Sequence, residues 1–178
     1  MTAAHSGGMM TSKLISIVSA IVLSTTVSVS SEGRLPPTAW GEKPTEVIDK
    51  PYLCRGPLPI DNGIEVHMCT MSVLGREALV SLYFVDGSYA CFEVTMEAEG
   101  NDGEELLMEF NGLVDRLEVV VGRTGGRDGT PGGDPRATWL TTSETIRAAV
   151  LSTGPTPIIG IVGLAGEHHQ RVAKLVRW

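Results

Sequence analysis

The side chains with the most chemistry to offer in this sequence are three cysteines, a Glu-His-His run, and carboxylates and glycines at turn-like spacings. Cys54 and Cys69 flank Asp61-Asn62-Gly63, a turn signal between two strand-like runs. A hairpin whose loop is Asp61-Asn62 sets Cys54 opposite Cys69. A loop at Asn62-Gly63 shifts the register by one residue on each strand, and Pro57 and Pro59 disturb the first strand. In an oxidising compartment the two thiols are expected to form one cross-strand bridge. Cys91 sits in an alternating strand, away from any electropositive helix start, and is expected to be a buried, unreactive free thiol. His67 and His169 are the imidazoles with which it could form a dyad.

Glu167-His168-His169 offers a carboxylate and two imidazoles, the parts of a hydrolytic acid-base pair or of a metal site. Neighbouring residues on a helix point about 100° apart, whereas helical metal ligands sit three or four residues apart. A metal at His168 and His169 therefore needs further ligands, with His67, Asp128 and Asp134 as reserves. Asn101-Asp102-Gly103-Glu104 gathers oxygens suited to calcium, Asp102 and Glu104 foremost, without the alternating ligands of an EF-hand. Gly160 and Gly163-Leu164-Ala165-Gly166, read as a glycine turn between strand and helix, form an anion candidate. There Gly160, Gly163 and Gly166 would let a nucleotide phosphate approach the backbone. No Gly-x-x-x-x-Gly-Lys-Ser/Thr, complete dinucleotide fingerprint or Gly-x-Ser-x-Gly elbow accompanies them. Each constellation also has a structural reading: polar residues on a terminal helix, a charged hairpin tip, or close packing of strand on helix. No cofactor or resident metal is expected.

The elements that must position these residues follow from the local patterns. Lys13 precedes an uncharged stretch, residues 14–29, and Ser28-Val29-Ser30 supplies small residues at a cleavage-like spacing, so residues 1–30 read as a secretory signal peptide. Residues 31–46, with Pro36, Pro37 and Pro44, read as an extended lead-in. Residues 47–121 read as a β-meander core with strands at 53–60, 64–71, 78–85, 88–97, 104–110 and 116–121. Asp86-Gly87 marks the tightest turn. Residues 122–137 are glycine-rich without apolar pattern and read as a loop or linker. In residues 138–178, Thr141-x-x-Glu144 resembles a capping box and predicts a helix over 143–152, with a strand as the alternative, followed by a strand at 157–162 and a helix over 167–176. The expected fold is mainly β, an antiparallel meander or sandwich, with a small α/β C-terminal portion packed on the same domain, α+β overall.

The chain has 178 residues, 42% of them hydrophobic and 20% charged, with a net charge of −7. That suits one ordinary domain and excludes collagen-like, disulfide-dense and globally disordered chains. Residues 41–120 hold 16 acidic and 5 basic side chains, whereas residues 121–178 hold 4 and 7. The acidic half disfavours nucleic acid as a partner. The preferred expectation is an exported module, secreted or periplasmic and free of the membrane after cleavage, that binds a protein or other surface ligand. A small secreted hydrolase using His168 or His169, and a nucleotide- or anion-binding protein using the Gly160–Gly166 turn, are the alternatives.

Overall fold

The structure, a computed structural model, describes residues 35–36, 40–48, 53–61, 63–100, 102–128, 134–151, 156–166 and 169–172. In chain order its elements are α1 (Pro44–Ile48), β1 (Leu53–Asp61), β2 (Ile64–Val73), β3 (Arg76–Val85), β4 (Ser88–Glu97), α2 (Gly103–Val121), β5 (Gly126–Asp128), β6 (Arg136–Leu140), β7 (Glu144–Leu151), β8 (Ile158–Ala165) and α3 (His169–Val172). The residues read as a signal peptide lie outside the described ones.

All eight strands form a single antiparallel sheet in the order β1-β2-β3-β4-β8-β7-β6-β5. Two four-stranded meanders meet where β4 pairs with β8, and α2 joins them in sequence. The architecture is thus mainly β, as one open sheet in place of a sandwich. Alternation assigns the faces. Val80, Leu82 and Phe84 of β3, Phe92, Val94 and Met96 of β4, Ile146, Ala148 and Val150 of β7, and Ile159 and Ile161 of β8 point to one side. There α2 covers them with Phe110, Leu113, Val114 and Leu117, each worth about 1.5–3 kcal/mol when fully buried. The lead-in segment closes the rest of this face: Tyr89 N–H donates to the Glu42 carbonyl at 2.8 Å and Gly41 N–H to the Tyr89 carbonyl at 2.9 Å. Val47 of α1 is fully buried behind it.

The outer face carries a smaller apolar cluster, including Val66, Tyr83, Val85, Cys91 and Leu164, which Val172 of α3 joins. No helix among the described residues is long and apolar enough to cross a membrane.

Two stretches differ from their sequence reading. The strands expected at 104–110 and 116–121 are one helix, α2. Asp102 caps its start, accepting from Glu104 N–H and Glu105 N–H at 2.9 Å, and Gly122 at φ 75° closes its end with a bond to the Glu118 carbonyl. Leu106 and Phe110 lie four apart and fit a period of two as well as one turn of helix; Met108 between them, 64% exposed, decides for the helix. Conversely, the segment 143–152, where the sequence favours a helix over a strand, is strand β7. Thr141 Oγ1 does accept from Glu144 N–H at 2.8 Å and Ser143 N–H at 3.0 Å, as a cap would, but the same bonds close the β6–β7 turn, where Thr141 N–H donates to the Glu144 carbonyl. The loop expected at 122–137 also contributes β5 and the start of β6. Among the described residues, the portion from 138 onward is therefore the rest of β6, strands β7 and β8, and a short helix.

Candidate functional site

On the outer face, Arg136 and Thr138 of β6 and Arg147 and Ala149 of β7 share one side of the sheet, because Arg147 pairs with Thr138 and Ala149 with Arg136. Asp128 of β5 stands opposite Arg136. These residues line a cavity of about 250 Å³, with Leu151 at one end. Ala149, with only a methyl side chain, forms part of the cavity wall.

What marks the pair is that neither guanidinium is engaged, although the Asp128 carboxylate lines the same cavity. Arg127 bonds Asp115 at 2.7 Å, Arg171 bonds Asp86 at 2.6 Å, and Arg76 pairs with Glu109. Arg123 donates to the Leu140 carbonyl at 2.6 Å and Arg116 to the Leu74 carbonyl at 3.2 Å. Arg136 and Arg147 have no hydrogen-bond or ion-pair partner among the described residues. Arg55 is likewise uncommitted, but stands at the far edge of the sheet on β1. Half-buried Arg147 therefore keeps all five donors available beside a second guanidinium.

Elsewhere on the outer face, Tyr83 Oη donates to Glu93 Oε2 at 3.0 Å. Burial, then the Glu93 charge, raises the Tyr83 hydroxyl far above its ordinary pKa. Cys91 beside it is a free, buried thiol, pushed well up by burial and secondarily by Glu93, so it offers no thiolate at neutral pH. His67 lies on the other side of the sheet, edge-on to Phe84 at 5.3 Å, and register places it beside Leu82 on the helix-facing surface. A Cys91–His67 dyad is thus divided by the sheet itself.

His67 ends a train of rings. Phe84 contacts Tyr89 at 5.4 Å, Tyr89 stacks on Trp40 at 5.2 Å, and Trp40 stacks on Phe92 at 6.0 Å. Trp40 Nε1 donates to Glu144 Oε2 at 3.0 Å, tying the lead-in segment to β7. His67 is 8% exposed and its Nε2 has no hydrogen-bond partner among the described residues. Burial lowers its pKa, against a smaller raising effect of Glu65.

The remaining sequence candidates are dispersed. Cys54 and Cys69 form a disulfide across the β1–β2 pair. The hairpin closes on Asp61 and Ile64, and two register shifts, one between Arg55 and Leu58 and one between Pro59 and Asp61, bring Cys54 opposite Cys69. Gly160 and Gly163 lie within β8 and not in a turn; Gly163 pairs with Phe92, whose ring occupies the space where a Cβ would stand. Gly166 follows the strand and donates to the Ser143 carbonyl at 2.8 Å. Asp102 is committed to capping α2, and Glu104 beside it is exposed. No group of three or more His, Cys, Asp or Glu suited to a metal occurs among the described residues. Glu167 and His168 lie outside the described residues, and His169 opens α3.

No family model, curated protein or solved structure matches the chain. The functional reading accordingly rests on the site. Sequence reasoning missed Arg136 and Arg147 because one fell in the expected linker and the other in an expected helix. Their signal was period-two spacing, Arg136-Ala137-Thr138 and Ile146-Arg147-Ala148, with apolar residues alternating inward.

Proposed function

We propose that the mature protein is an exported binding module that meets another protein, or a comparable surface ligand, through the outer face of β5, β6 and β7. The observation that carries this reading is the pair of uncommitted guanidinium groups, Arg136 and Arg147, lining one cavity. Unpaired arginines beside small residues are the usual material of recognition surfaces, since their donors lose water only when a partner replaces it. The Cys54–Cys69 bridge supports export, because such bonds persist in oxidising compartments. The acidic first half of the chain, with α2 bearing Glu104, Glu105 and Asp115, argues against a nucleic-acid partner.

Cell fractionation combined with non-reducing peptide mass spectrometry tests export: the exported form should carry the intact bridge. Photo-crosslinking tests the face. A crosslinker at Thr138 should yield a discrete adduct that Arg136→Glu and Arg147→Glu abolish, whereas one at Met108 on exposed α2 should not. Adducts from Met108 alone, or a protein retained inside the cell with both thiols free, would refute the proposal.

A further inference from the structure

We infer that the Arg136–Arg147 cavity receives a carboxylate from an acidic peptide segment of the partner, an inference that rests on the binding-module function just proposed. Charge is the first argument. Two guanidinium groups and the Asp128 carboxylate line the cavity, leaving one net positive charge. That matches a carboxylate monoanion and opposes a phosphate monoester, which carries about −1.5 to −2 at neutral pH.

Geometry is the second. Arg147 stands opposite Thr138 and Arg136 opposite Ala149, so the arginines are diagonal cross-strand neighbours, about 7–8 Å apart at the backbone. Side chains of arginine length converge readily over that span, and two planar forks address both oxygens of one carboxylate. Thr138 adds a hydroxyl between them.

Size is the third. Small-molecule sites commonly enclose about 300–1,000 Å³. At about 250 Å³ this cavity admits an end group while the body of the ligand stays outside, as a side chain projecting from a peptide does. Asp128 at the rim then accepts a donor, such as a peptide N–H or ammonium, from the same segment.

Calorimetric or NMR titration of the mature protein with an oligoglutamate peptide tests the inference. Oligoglutamine, acetate and inorganic phosphate serve as comparisons. Oligoglutamate should bind saturably and shift the Thr138 and Ala149 amide resonances, and oligoglutamine should not bind. Arg136→Gln and Arg147→Gln should each weaken binding by about tenfold or more without moving the thermal midpoint. Arg147→Lys should retain part of the affinity, since it keeps the charge and loses the fork. Binding unaffected by either glutamine substitution overturns the inference, as does a preference for inorganic phosphate over oligoglutamate. If no acidic peptide binds while the Thr138 crosslink persists, the carboxylate assignment falls and the binding face stands. Loss of both removes the two together.

Discussion

Gly163→Ala is a stringent test of how the sheet is packed. A Cβ at this position would overlap Cε1 and Cζ of Phe92 and stand 2.9 Å from Cδ1, against about 3.5–4.0 Å for a comfortable carbon contact. The ring has little room to lift, because Phe92 is fully buried and Trp40 stacks on it with planes 5° apart. Overpacking of this kind costs about 1–3 kcal/mol. Restricting the unfolded chain returns about 0.4–1 kcal/mol. The balance is a loss of about 1–2 kcal/mol, or about 3–8 °C in thermal midpoint for a domain of this size. Gly112→Ala is the same chemical change with the opposite expected sign: Gly112 is exposed in α2 with nothing within 4 Å, so the variant should gain about 0.5–1 kcal/mol. Calorimetry of both variants, with Phe92→Leu to complete a double-mutant cycle, reads the effect. The cycle should show a coupling of at least about 1 kcal/mol as the smaller side chain relieves the overlap. A Gly163→Ala protein as stable as the parent would refute the packing argument, and impaired ligand binding at unchanged stability would revive the glycine-turn reading.

Three further outcomes are expected. Reducing the Cys54–Cys69 bridge, whose cysteines are 15 residues apart, should lower stability by about 3 kcal/mol; an unchanged urea midpoint under reductant would contradict this. Glu109→Ala should cost about 1–2 kcal/mol in urea unfolding, because Arg76 keeps only the Glu97 carbonyl and Glu99, while the N–H groups of Glu99 and Gly100, both now bonded to Glu109 Oε2 at 2.9 Å, lose their acceptor; an unchanged urea midpoint would show the hub to be dispensable. Because His67 has a lowered folded pKa, the unfolded chain protonates first on acidification. Its contribution is flat above about pH 6.5 and declines below that, levelling off under the folded value. His67→Gln should flatten part of the stability loss that sets in below about pH 6.5, and identical curves would exclude His67 as a source.

The first four strands were legible because their turns carry their own chemistry. Asp86 and Gly87 both adopt positive φ, 50° and 78°, as an Asp-Gly hairpin turn requires. The cysteine pairing was reached with the correct partners, though the turn closes on Asp61 and Ile64 and two shifts around the prolines restore the register. No local pattern announces compensating bulges. Legibility failed where one local signal serves two structures. Thr141 and Glu144 make the same hydrogen bonds in a helix cap and in this strand turn, so only the inward alternation of Ile146, Ala148 and Val150 separates them. Likewise Leu106 and Phe110 satisfy both periods, and the sheet that α2 covers is assembled from distant segments. The cavity arginines belong to the same class, since their proximity depends on β6 pairing with β7.

The seam between β4 and β8 has a kinetic meaning. Within each meander, every strand pairs with its neighbour in sequence, so both halves can zip up from their own turns. The seam instead joins residues such as Glu97 and Ile158, or Cys91 and Leu164, roughly 60 to 70 positions apart. Closing the chain over that separation costs up to about 4 kcal/mol of entropy while the intervening segment is flexible, and less once β5–β7 have paired. Docking of two preformed half-sheets is therefore the expected slow step, and the Phe92–Gly163 contact lies on that line of closure. Until it closes, both β4 and β8 are open edges, so the newly made chain is most prone to pairing with other copies of itself during this interval.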